Sequence, residues 1–252
     1  MTGIGRDFLE RTEYRHLEPS EQERGLPQPP LEIRLGDGES IELPEGKRDA
    51  GPALWRVMSE RRSVREYGAE SLSVADLATL LWATQGVTRV IPGRATFRTV
   101  PSAGARHAFE TVVLANRVDG LERATYQYLA VDHRLLRLDA FPGLAEKMAE
   151  ACLGQRMVAE NAATFVWVAD RARMAWRYGE RGTRYLFLDA GHVCENLYLA
   201  AEAIGAGVCA IAAFDDRRLN ELLGLDGIDR FAVYVASVGV KPGRITGGVT
   251  EG

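Results

Sequence analysis

Arg61-Arg62-Ser63-Val64-Arg65 brings three guanidinium groups and one hydroxyl into a short segment, directly after an amphipathic run from Leu54 to Met58. An arginine guanidinium stays charged at physiological pH and matches two phosphate oxygens at once. A solvated basic edge has the same composition and is the commoner use of such clusters. We predict that a helix ends here in a turn and that the turn binds a small anionic group, in the first instance a phosphate.

The composition of the 252-residue chain is that of a folded protein: 46% of the residues are apolar, 26% are charged and the net charge is −4. This length allows one large α/β domain or two small ones. The chain is acidic, and no basic stripe with interleaved aromatic residues flanks the arginines. Nucleic-acid binding is therefore disfavoured.

Other features bear on the cellular compartment. No apolar run reaches the roughly 20 residues needed to span a bilayer. Residues 1–14 carry acidic side chains and lack the apolar core of a secretory signal. Cys152, Cys194 and Cys209 are odd in number and show no paired spacing, which indicates reduced thiols. The four histidines are scattered, so no metal site is predicted. We expect a cytoplasmic protein with no membrane partner.

The first fifty residues differ from the rest of the chain. Prolines and glycines interrupt them at residues 27–30, 36–38 and 44–46, and apolar residues are sparse. Such a segment cannot bury a core of its own. We predict an extended N-terminal arm over residues 1–50, which either wraps a partner subunit or lies loose, and one domain over residues 51–252.

Apolar spacing indicates a mixture of helices and strands. Ser73 is predicted to cap one helix and Gly86 to end it. Residues 87–100 are predicted to form a loop. The predicted helices are 53–60, 74–85, 144–153, 155–161, 184–204 and, with Asp215 as its cap, 216–223. The predicted strands are 109–116, 124–131, 134–138, 164–169, 208–214 and 231–238. Because these elements lack regular βαβ alternation, an α+β fold is favoured.

Two segments of small residues and two terminal basic residues add to the candidate site. Pro101-Ser102-Ala103-Gly104-Ala105 would let backbone amides approach a flat ligand closely. Residues 205–214 lie at a helix-to-strand turn, which is not the placement of a dinucleotide fingerprint. Lys241 and Arg244 would complete a phosphate clamp. Taken singly, each feature also fits an ordinary loop or a solvated terminus.

Taken together and in this order, these segments resemble the FMN-dependent nitroreductase superfamily. More narrowly, they resemble its SagB-type branch, which includes oxidases that turn thiazolines and oxazolines into azoles during peptide maturation. The similarity runs from about residue 50 to 240, and the branch assignment rests mainly on the Leu188 and Ile204 segments. The resembling stretches are Arg61-Arg62-Ser63-Val64-Arg65, Pro101-Ser102-Ala103-Gly104, Leu188-Asp189-Ala190-Gly191-His192 with Glu195-Asn196-Leu197, and residues 204–216.

The resemblance implies an α+β fold with a central, mostly antiparallel sheet flanked by helices. It also implies an intertwined homodimer with two FMN sites at the subunit interface. By position, Arg61, Ser63, Lys241 and Arg244 would hold the phosphate and ribityl chain of FMN, and Arg62 would help.

The resemblance places other residues around the isoalloxazine ring. Arg65 would lie near its N1/O2 edge, where a fixed cation stabilises the negative charge of the reduced flavin. Pro101 to Gly104 would lie along the ring from the partner subunit, and Ala212 and Ala213 would offer backbone amides near N5. His107 is a further candidate for contact with flavin or substrate.

The catalytic candidates are Tyr178 and Arg177. Azoline-oxidising relatives tend to have a Lys-Tyr pair here, and the lysine is thought to assist proton removal. A guanidinium cannot lose its proton at working pH, so Arg177 is expected to be an electrostatic partner and Tyr178 the remaining base. This departure weakens the case for azole formation and leaves flavin redox chemistry intact.

Asp189, His192 and Asn196 share one face of the long helix, at positions i, i+3 and i+7. They are interpreted either as an acid–base trio beside the flavin or as a satisfied polar network inside a dimer core.

The sequence therefore predicts an FMN-dependent oxidoreductase that transfers hydride by a ping-pong mechanism. NAD(P)H would be a transient donor, because no separate nicotinamide-binding fold is visible. The substrate is either a nitro- or quinone-type compound, which needs only an open flavin face, or a small molecule or peptide heterocycle whose dehydrogenation needs a base. The competing hypothesis is a non-catalytic flavin-binding or interaction subunit of a peptide-maturation complex, docked through residues 1–50.

Overall fold

Helices and strands follow one another in mixed order along residues 3–46 and 51–243, the part of the chain that this computed structural model describes. Its helices are α1 (Ile4–Arg11), α2 (Leu54–Glu60), α3 (Val74–Gln85), α4 (Leu144–Ala151), α5 (Arg156–Glu160), α6 (Arg171–Tyr178), α7 (Gly182–Ala203) and α8 (Asp216–Leu222). Its strands are β1 (Ser40–Glu42), β2 (Leu72–Ser73), β3 (Val87–Ile91), β4 (Ala95–Arg98), β5 (Phe109–Ala115), β6 (Val118–Asp119), β7 (Ala124–Leu129), β8 (Arg134–Asp139), β9 (Ala163–Asp170), β10 (Ala206–Ile211) and β11 (Arg230–Val240).

A seven-stranded sheet forms the centre of the fold, in the order β1-β8-β7-β5-β9-β11-β10. Every neighbouring pair in it is antiparallel. The pair β7–β8 is the hairpin expected around Asp132-His133. The predicted α+β fold with a mostly antiparallel central sheet is confirmed.

Helices cover both faces of this sheet. Along β9, Phe165 and Trp167 pack into a cluster with α3 and α7, whereas Val166 and Val168 pack with α4 and α8. Side chains of a strand alternate between faces, so a strand buried on both sides is apolar at nearly every position. No helix in the described ranges has both the length and the apolar character needed to cross a bilayer.

The cap residues identified in the sequence behave as expected. The Ser73 Oγ accepts a hydrogen bond from the Asp76 N–H at 3.0 Å, and the Asp76 carboxylate accepts one from the Ser73 N–H at 3.3 Å. These reciprocal bonds satisfy two of the free N–H groups that begin α3. The helix ends at Gln85, before Gly86. Asp215 caps α8 through a single bond, which its carboxylate accepts from the Arg218 N–H.

Residues 87–100 are not a loop, so that prediction is wrong. They contain the antiparallel hairpin β3–β4, which turns through Gly93 at φ +65°. Val90 and Phe97 are exposed, whereas the buried positions of β4 are the polar residues Thr96 and Arg98, so no alternating apolar pattern marks the hairpin. A second boundary is also corrected. The strand predicted at 208–214 begins at Ala206 and ends at Ile211, because its pairing with β11 ends there.

The N-terminal arm lies against its own chain and is not extended throughout, since it contains α1. The Ile33 N–H donates to the Glu110 carboxylate at 3.2 Å, and the Leu35 N–H donates to Gln127 Oε1 at 2.7 Å. Further along, β1 pairs with β8 and becomes the outer strand of the central sheet. Docked in this way, the arm fills polar positions of β5 and β7 and covers one sheet edge.

Candidate functional site

The arginine segment, residues 61–65, leaves the end of α2 and runs along the outer edge of β10. Ser63 forms a parallel bridge with Val208, and the Val64 N–H donates to the Val208 carbonyl at 2.8 Å. This approach is possible because Gly207 has no side chain: a Cβ there would lie 2.7 Å from Val64 Cβ. The sheet edge therefore fixes the backbone from which Arg61, Ser63 and Arg65 project.

Tyr198, on α7, holds the arginine segment from the other side. Its Oη lies 3.0 Å from Ser63 Oγ and accepts a hydrogen bond from the Ala210 N–H at 2.8 Å. The Arg61 guanidinium lies 5.1 Å from the centroid of the Tyr198 ring, within the range of a cation–π contact. Sequence reasoning counted Tyr198 only as an apolar helix residue. Its hydroxyl was the available signal, because a buried phenol usually finds a polar partner.

The cations of this region differ in their availability. Within the described ranges, neither Arg61 nor Arg65 has a carboxylate partner. The Arg62 guanidinium turns back and donates to the carbonyls of Ser59 and Arg61. Lys241 donates to Glu202 at 2.6 Å. Arg244 lies outside the described residues. The described part thus offers two unpaired guanidiniums, a hydroxyl and a lysine in an ion pair.

Ala212 and Ala213 follow directly after β10, and both are exposed. The Ala213 carbonyl accepts a hydrogen bond from Gln155 Nε2 at 2.9 Å. Neither alanine N–H has an acceptor in the part of the chain that the structure describes. These two donors are therefore open to a ligand.

The small-residue loop, Pro101 to Gly104, is held by α7. The Ala103 N–H lies 3.2 and 3.3 Å from the two carboxylate oxygens of Asp189. Burial raises the pKa of Asp189, and hydrogen bonds from Ser102 and Ala103 oppose that rise. Ser102 Oγ in turn accepts a hydrogen bond from the His107 N–H at 2.9 Å. Asp189 therefore positions the loop.

The two catalytic candidates meet this loop at Gly104, whose backbone is left-handed at φ +56°. A Cβ at Gly104 would lie 2.5 Å from Tyr178 Oη and 2.8 Å from Arg177 Nε. The structure therefore brings Tyr178, Arg177 and the small-residue loop together, as one site requires. A larger residue at position 104 would displace the phenol.

The other two members of the polar trio have separate partners. His192 is half exposed, and its Nδ1 lies 4.0 Å from Asp189 Oδ1. Asn196 Nδ2 donates to the carbonyl of Ala83 at 2.8 Å, at the end of α3. Asp189 and Asn196 thus hold backbone segments, which supports the interpretation of the trio as a structural network.

His107 is buried and surrounded by cations. Burial has the largest effect, and the guanidiniums of Arg98, Arg173 and Arg106 add to it, so that the pKa of His107 falls to about 3. The imidazole is therefore neutral at any pH where the protein would work. The imidazole therefore lies beside buried arginines, and not beside the arginine segment that would bind a phosphate.

This burial predicts acid sensitivity. An unfolded histidine has a pKa of about 6.5, so between pH 6.5 and 3 the unfolded chain binds more protons than the folded one, and stability falls as pH falls. From pH 7 to 5 this contribution amounts to about 2 kcal/mol. Urea unfolding at several pH values should show a shallower pH dependence for His107→Gln than for the unmodified protein. The exposed His16→Gln is the control, and equal slopes for all three proteins would contradict the prediction.

The arginine segment and the small-residue loop are attached to α7 at different positions. Both are held by α7, the first by Tyr198 and the second by Asp189, while Glu202 holds Lys241. Nine residues separate Asp189 from Tyr198, or about 13 Å along a helix that rises about 1.5 Å per residue. A single chain therefore presents two groups of candidate site residues at different levels of one helix.

A second group of polar residues beside Tyr178 was missed by sequence reasoning. Tyr14 Oη lies 3.0 Å from Tyr185 Oη, and Arg181 Nε donates to Tyr185 Oη at 2.9 Å. Burial raises the pKa of Tyr185, but the hydrogen bonds from Tyr14 and Arg181 outweigh it and lower that pKa. The Tyr178 and Tyr185 rings meet edge to face with centroids 4.8 Å apart. The i, i+4 spacing of Arg181 and Tyr185 indicates in the sequence that their side chains can meet. No local pattern indicates that Tyr14, which lies in the arm, joins them.

Comparison with known proteins adds independent findings. The model of the nitroreductase family matches residues 58–240. A protein of Methanocaldococcus jannaschii assigned to the nitroreductases is 36% identical over 212 residues, 84% of this chain and 97% of that protein. The trifolitoxin-processing protein TfxB of Rhizobium leguminosarum bv. trifolii is 28% identical over 147 residues, which are 57% of this chain and 39% of TfxB. The crystal structure of a nitroreductase homologue from Ralstonia eutropha superposes with a TM-score of 0.67 at 26% identity, covering 87% of this chain and 96% of that one.

Proposed function

The chain belongs to the nitroreductase family, and on that premise we propose that it is an FMN-dependent oxidoreductase that transfers hydride by a ping-pong mechanism. One donor binds, gives up a hydride and leaves before a second substrate or oxygen enters the same space. The observation that carries the proposal is that two guanidiniums, those of Arg61 and Arg65, lie beside Ser63 on a sheet edge and have no carboxylate partner among the described residues.

The residues present fit a phosphate-bearing cofactor. Arg61 is held over Tyr198 without a carboxylate partner in the described ranges, and Ser63 Oγ is fixed by the same tyrosine. A preorganised arginine and hydroxyl suit phosphate oxygens. Lys241 would also bind the phosphate, after giving up its ion pair with Glu202. Arg244, which lies outside the described residues, is proposed to bind the phosphate as well. Arg62, turned to backbone carbonyls, would contribute mainly long-range charge.

Other residues would surround the flavin ring. When bound, FMN would supply a ring that accepts a hydride and gives it back. Arg65 would lie at its N1/O2 edge, and the free N–H groups of Ala212 and Ala213 would face N5. Pro101 to Gly104 would border the ring from the partner subunit, and the buried His107, whose N–H donates to Ser102 Oγ, would help to hold this loop. Small side chains at these positions would leave the ring face open to substrate.

We further propose a homodimer in which each site takes one half from each chain. The half-sites are separated along α7 in a single chain, and a dimer would bring the loop of one subunit to the arginine segment of the other. Apolar side chains support this: Phe187 and Leu188 on α7 are 57% and 61% exposed, and Trp55 on α2 is 78% exposed. Large apolar side chains exposed in this way are typical of an interface when a partner covers them.

Two substrate classes remain within this proposal. A nitro- or quinone-type acceptor would need only the open flavin face, with NAD(P)H as a transient donor. The similarity to TfxB, a protein named for trifolitoxin processing, supports a peptide substrate instead. Dehydrogenation of a peptide heterocycle would need a base. Arg177 cannot act as one, so Tyr178 would have that role, with the guanidinium 5.6 Å from its ring.

The first test is an absorbance spectrum of the purified protein, with the released chromophore identified by mass. We expect a yellow protein that carries FMN at about one copy per chain. A colourless protein that also fails to take up added FMN would overturn the proposal.

Replacing Tyr178 with phenylalanine tests the role of its hydroxyl. The ring and its edge contact with Tyr185 would be kept, so FMN binding and flavin reduction by a donor should persist. Dehydrogenation should fall by about 100-fold or more, the size expected for loss of general base catalysis. Rapid-mixing kinetics of each half-reaction separate the two steps, and unchanged dehydrogenation would remove Tyr178 from the mechanism.

The N-terminal arm supports the second candidate function, that of a non-catalytic subunit. Ile4 and Leu9 on α1 are 90% and 56% exposed, which would suit docking to another protein of a peptide-maturation complex. A purely structural subunit would bind FMN without turnover, or not bind it at all. Reduction and reoxidation of the bound flavin by added donors and acceptors, measured per chain, distinguish an enzyme from such a subunit.

A further inference from the structure

A cleft of about 450 Å3 lies between the N-terminal arm and the end of α6. Its inner wall is formed by Arg177, Tyr178 and Arg181. Its outer wall is formed by six arm residues: Tyr14, Leu17, Glu18, Pro19, Ser20 and Glu23. This volume lies in the range of about 300–1,000 Å3 that is typical of small-molecule sites. The cleft therefore opens directly beside both catalytic candidates.

The outer wall is held in place on both sides of the cleft. On one side, Arg181 donates to the Thr12 carbonyl at 2.7 Å. On the other side, the Gln22 N–H donates to the Trp176 carbonyl at 2.8 Å, and Trp176 Nε1 donates to the Leu26 carbonyl at 2.9 Å. The segment between these anchors arches over the end of α6, so the walls of the cleft are positioned by hydrogen bonds.

The two walls present opposite charges. Within the described ranges, Arg177 has no carboxylate partner and Glu18 has no cationic one. The Glu23 carboxylate accepts hydrogen bonds from the N–H and Oγ of Ser20 at 2.7 and 2.9 Å, and these bonds lower its pKa. A cation on the inner wall thus faces carboxylates on the outer wall across the cleft.

Apolar groups lie between these charges. Leu17 and the Tyr178 ring both line the cleft, and both are half-buried. An aromatic side chain offers a face to a flat ring, and an aliphatic side chain offers the opposite face. A ligand that fills the cleft would therefore need a ring, with a charged group toward each wall.

On the basis of the proposed function, we propose that this cleft binds the substrate and that the N-terminal arm selects it by charge. The ligand class is a ring-bearing molecule or chain end that carries both an anionic and a cationic group. Its anion would meet Arg177, its cation would meet Glu18 and Glu23, and its ring would lie against Tyr178. The arm would then be a specificity-determining part of the enzyme.

Binding of four nitro-substituted rings to the full-length, FMN-loaded protein tests this proposal. The probes are 4-nitrophenylalanine, which is zwitterionic, the anion 4-nitrobenzoate, the cation 4-nitrobenzylamine and the neutral 4-nitrobenzyl alcohol. Titration calorimetry should give the lowest Kd for the zwitterion. We expect the Kd of the zwitterion to be about tenfold lower than that of the neutral alcohol, which is the effect of at least one charge-assisted hydrogen bond.

Variants that neutralise one charge at a time show which wall of the cleft binds which charge of the ligand. Arg177→Gln should raise the Kd of the zwitterion and the anion by about tenfold. Glu18→Gln should instead raise the Kd of the zwitterion and the cation. Glu21→Gln is the matched control, because Glu21 lies on the same arm outside this cleft; it should leave all four Kd values unchanged.

The two proposals fail separately in this experiment. Reduction of the neutral alcohol by the reduced protein tests the redox function and does not depend on charge selection. Equal affinity for all four probes, or equal changes in all variants, would overturn the charge-selecting cleft even if every probe were reduced. Selective binding without reduction would keep the cleft and reject the redox function.

Discussion

Replacing Arg61 with alanine is expected to weaken FMN binding by about 10- to 100-fold, the loss typical of a charged hydrogen-bonding partner of a phosphate. The reason is local. Arg61 is preorganised over Tyr198 and has no carboxylate partner in the described ranges, so its full charge is available to a ligand. Fluorescence titration of the apoprotein with FMN measures the effect.

Two further variants make this result specific. Arg56→Ala removes a cation from α2, the helix that precedes Arg61, but that side chain is exposed and paired with Glu60, so the affinity for FMN should be unchanged. Tyr198→Phe keeps the ring under Arg61 and removes the hydroxyl from Ser63 and Ala210, so a smaller loss of affinity is expected. An Arg61→Ala protein that binds FMN as tightly as the unmodified one would place the phosphate elsewhere.

Removing the carboxylate of Glu110 is expected to cost about 3–5 kcal/mol of unfolding free energy, because it leaves a buried cation without its main partner. Arg173 is 1% exposed, and its Nη2 lies 2.5 Å from Glu110 and 3.2 Å from Asp170. Burial alone would lower the pKa of Arg173, but the two carboxylates outweigh burial and raise it. Glu110→Ala therefore leaves Asp170 as the remaining anion in contact with Arg173.

Urea unfolding of the Glu110→Ala protein measures this loss. The control is Glu160→Ala, which removes the partner of Arg156 from an exposed i, i+4 pair and should change stability little. Glu110→Gln tests the cause: it removes the charge and keeps one acceptor oxygen for the Ile33 N–H, although its amide nitrogen replaces the oxygen that accepts from Gln127 Nε2. If Glu110→Ala and Glu160→Ala lower the free energy of unfolding by the same amount, the buried ion pair contributes no more to stability than a surface one.

Local signals in the sequence were sufficient for several elements. Ser73 and Gly86 predicted both ends of α3, and Asp215 predicted the cap of α8, because caps depend on a few neighbouring residues. The long helix was predicted at 184–204 and observed at Gly182–Ala203. The hairpin at 87–98 has no such signal in its strands, because its buried positions Thr96 and Arg98 are polar, although Pro92-Gly93 is a usable turn signal.

The parts of the candidate site that depend on tertiary contacts could not be predicted. Tyr14 and Tyr185 are 171 positions apart, and no local pattern links them. The sequence pattern indicates only an apolar position for Tyr198, because its neighbours are apolar. The hydrogen bond between its hydroxyl and Ser63 is seen only in the structure. Glu110 gave a signal that was overlooked: an acidic residue inside an otherwise apolar strand needs a buried partner.

Two segments cover strand edges that would otherwise be open: β1 of the arm pairs with β8, and Ser63 and Val64 lie along β10. An uncovered strand edge is a template for pairing with another chain. Deleting the arm would therefore expose a row of backbone donors and acceptors along β8, and the truncated protein would be prone to aggregate. Precipitation of such a protein would say nothing about whether the arm docks a partner. A single change at the exposed Ile4, which leaves β1 in place, would answer that question.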